Sequence, residues 1–166
     1  MLAKPNPPVL RPHRPGDIGH IISRHAIVYF EDYGWDERFE AMVARIMADF
    51  VDQYNPKIER SWIAERDGVF LGCVFLVSDK DMPKTARIRA LLVEHTARGL
   101  GLGRRLVQNC IDFAREAGYQ DLVLYTNSIL TPARQIYKAF GFRLVKEEDS
   151  LIFAPGTQAE TWKLAL

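Results

Sequence analysis

Cysteine is scarce in this sequence. Cys73 and Cys110 are the whole supply among 166 residues, and each sits inside an apolar stretch, "LGCVFL" and "LVQNCI", as small buried hydrophobes do. They read as reduced thiols of a cytosolic protein, and neither has the setting of a nucleophile. Net charge is also missing: 22 Lys and Arg stand against 21 Asp and Glu, so no overall field draws the chain to nucleic acid or to an anionic membrane. No apolar run approaches the ~20 residues of a membrane span, and "MLAKPNPPVLRPHRP" lacks the apolar centre of a signal peptide. The expectation is a soluble, cytoplasmic protein that is not exported. Repeats, low-complexity tracts and linkers are lacking as well, and with 48% hydrophobic residues the chain can bury a core unaided. One domain over residues 1–166 follows.

What is present is organised by period and punctuation. "PPVLRPHRPGD" suits an edge strand or an irregular arm. Ile18, Ile21, Ile22, Ala26 and Tyr29 recur at helical spacing up to Gly34, and Phe39, Met42, Val43, Ile46, Met47, Phe50 and Val51 form a second helical stripe that ends before Asn55-Pro56. "SWIAER" and "VFLGCVFLV" flank Asp67-Gly68, a type I′ hairpin signal, and "ARIRALLV" makes a third strand. "LGRRLVQNCIDFAREAG" is a helix stopped by Gly118, "DLVLYT" a short buried strand, and "TPARQIYKAFG" a helix with Thr131 as N-cap and Gly141 as stop. "FRLVKEE" and "AETWKLAL" close the chain as a strand pair. The fold class is therefore a mixed α/β sheet, an antiparallel meander followed by one strand-helix-strand crossover, with helices on its faces.

Charge separates locally although the totals cancel. Between Phe30 and Asn55, Glu31, Asp32, Asp36, Glu37, Glu40, Asp49 and Asp52 outnumber Arg38 and Arg45; between Lys84 and Arg105 the bases outnumber the single acid Glu94. Two solvated faces of opposite sign would explain this, and so would an acidic surface that attracts a cationic ligand.

The basic segment contains "RGLGLGRR". Glycines at Gly99, Gly101 and Gly103 let backbone N–H groups approach a ligand, the helix beginning there adds a partial positive charge, and Arg98, Arg104 and Arg105 can meet phosphate oxygens. A P-loop is excluded, since the loop has no G-K-[ST] ending. The dinucleotide pattern G-x-G-x-x-G is not matched either, and the following strand ends in Thr126-Asn127 without the acidic residue that would hold a ribose.

The stretch "LLVEHTARGLGLGRRLV" resembles the acyl-CoA-binding signature of the GNAT superfamily of N-acetyltransferases through Leu91, Val93, Arg98, Gly101 and Gly103. "TPARQIYKAFGF" is similar to that family's second signature through Ala133, Tyr137, Gly141 and Phe142. Segments such as "YGWDERFEA" and "TNSILTPAR" look most like the acetyltransferase half of MarR-type fusion proteins, which implies an acetyltransferase without its own DNA-binding regulator. The resemblance implies a GNAT-like fold and acetyl-CoA (coenzyme A) as cofactor. Its binding set would be Leu91, Leu92, Val93, Arg98, Gly99, Leu100, Gly101, Leu102, Gly103 and Arg104. Many relatives carry Asn where this chain has Leu130; Asn127 is the candidate to replace it. The segment between the first two helices lines the acceptor side in relatives, so Glu31 and Tyr33 become candidate substrate-binding residues. The partner would be an amine acceptor, either a small molecule or a protein amine, with no nucleic acid and no membrane; a homodimer is left open.

Acetyl transfer needs a neutral amine. For a lysine-like amine of pKa ~10.4 neutrality at pH 7 costs about 4 to 5 kcal/mol, and for an α-amine near 8 about 1. By family analogy the Tyr137 hydroxyl points at the sulfur as general acid, while Leu91 and Val93 offer backbone groups to pantetheine where the strand splays from its neighbour. The resemblance implies direct attack without an acyl-enzyme. Glu94, His95, Glu31, Asp32 and Tyr33 are the residues to weigh as base, beside an ordered water. Two other readings compete: a catalytically silent acyl-CoA sensor, and a nucleotide-binding oxidoreductase.

Overall fold

The computed structural model describes residues 5–150 and 152–166; the opening residues 1–4 of the segment searched for a signal peptide lie outside them. The chain runs β1 (Val9–Arg11), α1 (Asp17–Tyr33), α2 (Glu37–Gln53), β2 (Arg60–Arg66), β3 (Val69–Ser78), β4 (Thr85–Val93), a 3₁₀ turn (His95–Ala97), α3 (Leu102–Glu116), β5 (Asp121–Asn127), α4 (Thr131–Ala139), β6 (Arg143–Asp149) and β7 (Gln158–Ala165). These strands form one seven-stranded sheet in the order β1-β2-β3-β4-β5-β7-β6. The meander is antiparallel, β4 and β5 are parallel, and the closing pair is inserted with β7 rather than β6 against β5.

Local chemistry accounts for most boundaries. Asp67 and Gly68 both take positive φ, 51° and 78°, as a type I′ turn requires. Asp36 caps α2 by accepting a hydrogen bond from the Arg38 amide, and Gly34 ends α1 in the left-handed region. The start of α4 departs from expectation. Leu130, not Thr131, is the N-cap and makes no side-chain bond. The turn before the helix is held by Asn127, whose Oδ1 accepts from the Ile129 amide at 3.1 Å, an Asx turn that sets the entry to α4 without capping its amides.

Two apolar layers sandwich the sheet. α3 and α4 cover one face, where Leu102, Leu106, Val107, Cys110 and Ile111 meet Val74, Leu76, Ile88, Leu122 and Trp162. α1 and α2 cover the other, where Ile21, Val28, Phe39, Val43, Met47 and Phe50 meet Ile63, Cys73, Phe75 and Leu92. Each such side chain contributes about 1.5–3 kcal/mol by leaving water. Both cysteines are buried, and burial pushes both thiols well above the usual range, so neither supplies a thiolate. No helix among the described residues is long and apolar enough to cross a membrane.

Candidate active site

The site grows from a fault between the two parallel strands. β4 and β5 pair only from Thr85↔Asp121 to Ile88↔Leu124; beyond that point Arg89–Val93 and Tyr125–Asn127 diverge. A bulge drives the departure. On the other side of β4, Cys73 opposes Leu92 and Phe75 opposes Arg89, so Val74 faces both Ala90 and Leu91, and Ala90 takes φ of 51°. An alanine in the left-handed region is strained by about 1–2 kcal/mol. The Cys73 thiol donates to the Ala90 carbonyl at 3.3 Å, which helps to hold it there.

The first half of the resulting cleft is a groove of about 610 Å³. Leu91, Leu92, Val93, Arg98, Gly99, Gly101, Leu102, Gly103 and Arg104 line it, together with Tyr29, Asp32, Tyr33, Leu130 and Ala133. The glycines divide the labour. Gly99 and Gly101 have φ of 76° and 71° with open space where a Cβ would go, whereas a Cβ on Gly103 would lie 2.9 Å from Ile136 Cδ1. Two of them therefore serve the backbone turn, and the third lets α3 pack on α4. The first helical bond of α3 runs from the Arg105 amide to the Gly101 carbonyl at 3.1 Å, leaving the preceding amides for a ligand.

The second half is an apolar cavity of about 350 Å³ behind the bulge, walled by His25, Tyr29, Trp35, Phe39, Met42, Ile46, Arg89, Tyr125, Tyr137 and Phe153. Groove and cavity share Tyr29, Leu91, Leu130 and Ala133. Aromatic packing stiffens this wall: the Tyr29 ring is 4.6 Å from that of Phe39, and Trp35 is 4.7 Å from Phe153.

Tyr137 reaches the cavity from α4. It is 4% exposed, and burial, with Tyr29 nearby, pushes its hydroxyl well above the usual tyrosine range. His25 faces the same cavity. Its Nδ1 lies 2.9 Å from the Ile21 carbonyl and so carries the hydrogen, while the buried Nε2 has no partner among the described residues. Burial lowers its pKa to about 4, so the ring is neutral at physiological pH.

Several residues named from the sequence stand elsewhere. Asn127 lines the cavity rather than the groove, and its amide is spent on Thr157 Oγ1 at 2.7 Å and on the Ile129 amide; it is a turn-holding residue and not positioned for the groove. Leu100 is 54% exposed and lines neither space. Glu31 lies outside both, 3.7 Å from His95, and Tyr33 lines the groove and not the apolar cavity. Asp32 binds Arg98 and His95; burial resists its ionisation, but these hydrogen bonds prevail and lower its pKa. The acidic and basic segments thus meet at this pair instead of forming two separate solvated faces. Glu94 is clasped by two of the three guanidinium nitrogens of Arg24, Nε and Nη2. None of the bases weighed from the sequence lines the apolar cavity. Arg89, His25 and the Ala90 bulge are missed from the sequence: Arg89 reads as one more surface base, His25 sits at helical spacing from Ile18, Ile21 and Tyr29 but as a polar type in an apolar stripe, and a bulge at alanine leaves no local trace.

A model of the Acetyltransferase (GNAT) family matches residues 22–142. The chain belongs to the GNAT family. Curated relatives of this GNAT protein include an uncharacterized N-acetyltransferase of Schizosaccharomyces pombe, 34% identical over 116 residues covering 69% of this chain and 70% of that one. N-acetyltransferase 8F1 of Rattus norvegicus is 31% identical over 112 residues, 66% of this chain and 51% of the relative. The chain spans about half the length of the mammalian relatives it matches. Among solved structures, a GCN5-related N-acetyltransferase from Kribbella flavida superposes with a TM-score of 0.75 at 22% identity, covering 96% and 98% of the two chains. A Salmonella typhimurium protein assigned to the acetyltransferases, solved with its cofactor acetyl-CoA, gives 0.77 at 19% identity, covering 97% and 95%. The mixed-sheet GNAT fold expected from the sequence is the fold found.

Proposed function

We infer that this enzyme is an acetyl-CoA-dependent N-acetyltransferase of one domain, cytoplasmic, that acetylates a primary amine by direct attack. The observation that carries the inference is the split between β4 and β5 at Ile88–Leu124, which opens a backbone-lined groove onto an apolar cavity at one junction. The groove suits a pantetheine phosphate ester: Gly99 and Gly101 bare the main chain, the first turn of α3 presents free amides, and Arg98 and Arg104 supply cations. When bound, acetyl-CoA supplies a thioester carbonyl for the amine to attack and a sulfur that must be protonated on leaving. Leu91 and Val93, unpaired toward β5, would hold the arm through their backbone. Tyr137 Oη, in the cavity wall and raised above the usual tyrosine range by burial, keeps its proton at physiological pH and would offer it to the leaving sulfur. The cavity contains no carboxylate among the described residues, so the amine loses its proton to water or to the neutral His25 ring.

The test is calorimetry with acetyl-CoA, followed by thiol release over a panel of amines. Binding together with release supports the inference. Binding with no release from any amine would make the protein a silent acyl-CoA sensor, and stabilisation by NAD(H) in place of coenzyme A would make it an oxidoreductase.

A further inference from the structure

Arg89 is a cation with no answering charge. It is half-buried in β4, beside the strained Ala90, and it walls both the apolar cavity and a polar cavity of about 490 Å³ next to it. Arg87, on the same face of the strand, is committed to Asp79 and to the Tyr125 hydroxyl at 2.8 Å. Arg89 has neither an ion pair nor a hydrogen bond among the described residues; the Tyr125 ring lies 5.9 Å from its guanidinium carbon. The two carboxylates within electrostatic range do not touch it. Asp79 is occupied by Arg87 and by the amides of Asp81 and Met82, and Asp49 stays exposed on α2. Burial, reinforced by Arg87, lowers the Arg89 pKa, yet a guanidinium remains charged in a protein. An unpaired cation in that setting carries a desolvation cost that an incoming anion relieves.

The geometry points to Arg89 as the anchor for a carboxylate on the acceptor, and so to α-amino acids with apolar side chains as the substrate class; this rests on the acetyltransferase reading above. An α-amino acid carries its carboxylate one carbon from the reacting nitrogen. The anchor must therefore sit within side-chain reach of the point of attack. Arg89 adjoins the bulge that leads to Leu91, the strand residue common to cavity and groove. Trp35, Phe39, Met42, Ile46 and Phe153 supply the apolar walls for the side chain, and about 350 Å³ is at the small end of ligand cavities. A second charge argument agrees. A lysine side chain or polyamine would find no carboxylate in this cavity and would be repelled by Arg89, a built-in selection against cationic acceptors. An α-amine is also the cheaper amine to neutralise, which matters where His25 is so weak a base.

The experiment compares phenylalanine, phenylalaninamide and phenethylamine as acceptors for the wild type, Arg89→Met and Arg89→Lys. Relative to Arg89→Met, the wild type should favour phenylalanine over phenylalaninamide in kcat/KM by about 10- to 100-fold, the range for losing a charge-assisted hydrogen bond. Arg89→Met should lower the phenylalanine-to-phenylalaninamide ratio of kcat/KM by that factor, and Arg89→Lys should lower it by less. Damage to folding would lower all three rates together and leave their ratio in place. Because phenylalaninamide has the less basic amine, it holds more free base with every variant, an advantage that cancels when ratios are compared; an Arg89→Met variant that keeps the wild-type phenylalanine-to-amide ratio overturns the proposal. A binding arm keeps the proposal separate from the acetyltransferase reading: N-acetylphenylalanine should raise the Tm of the wild type but not of Arg89→Met, while acetyl-CoA binding is equal in both. No stabilisation of the wild type overturns carboxylate anchoring, and absent acetyl-CoA binding overturns the acetyltransferase reading instead.

Discussion

The groove and the cavity meet at Tyr29, Leu91, Leu130 and Ala133, yet they are built in opposite ways. The groove takes its glycine-bearing wall from one continuous stretch, the end of β4 through the first turn of α3, with α1 and α4 closing its other sides, and much of what that wall presents is main chain. The cavity is assembled from α1, α2, β4, β5, α4 and the loop holding Phe153, and its chemistry is all side chain. A backbone site can serve the same ligand through many sequences, because every residue has an amide. A side-chain site must be specified residue by residue, so it can carry the differences in acceptor between proteins of one fold.

The two halves should fail differently when altered. The sharpest division is expected at Tyr137→Phe, which removes a proton donor while keeping the ring: kcat should fall by about 10²- to 10⁴-fold with acetyl-CoA affinity within a few-fold, measured by steady-state kinetics and calorimetry. Residual turnover near wild type would remove Tyr137 from the chemistry. His25 offers a test in pH. Its folded pKa is lowered to about 4, against ~6.5 for an unfolded histidine, so the unfolded chain takes up a proton first as pH falls. Its stability contribution is full above pH ~6.5 and is lost between there and pH ~4, about 3 kcal/mol in all. Denaturant titrations of His25→Phe across this window should show a flatter pH dependence than the wild type.

On the groove side, Gly101→Val forces a β-branched residue to φ of 71°, at a cost above the ~1–2 kcal/mol of an ordinary left-handed residue. Acetyl-CoA should bind about tenfold more weakly, while selectivity among acceptors stays unchanged. The smallest effect expected is at Asn127→Ala. Loss of its bonds to Thr157 and the Ile129 amide should lower stability by about 1 kcal/mol and leave acetyl-CoA affinity intact. A fall in affinity larger than the fall in stability would return Asn127 to the cofactor site.

Legibility followed the same division. Every helix and strand but β1, which is too short to show a period and reads equally as an edge strand or an irregular arm, stands in the local pattern, because apolar stripes at spacings of 3.6 and 2 follow from the geometry of the backbone. Gly99 and Gly101 were readable because positive φ favours glycine, and Tyr137 because it lies in the same signature as Ala133 and Gly141. Glu31 and Tyr33 were placed from the segment's position in relatives, whereas the Asp32–Arg98 pair turns that segment toward the groove rim. Thr131 reads as a cap from its residue type alone, whereas the Asn127 turn starts the helix one residue earlier, with Leu130 as N-cap.

By itself, then, the sequence determined the order of elements, the antiparallel meander and crossover, and the glycine loop that opens α3, since all of these depend on residues close together in the chain. Only the tertiary structure decided where β4 leaves β5, which ring nitrogen of His25 stays unpaired, and that Arg89 is left without a counter-charge. Those outcomes depend on what distant segments place beside each residue, and on which charges other partners have already neutralised.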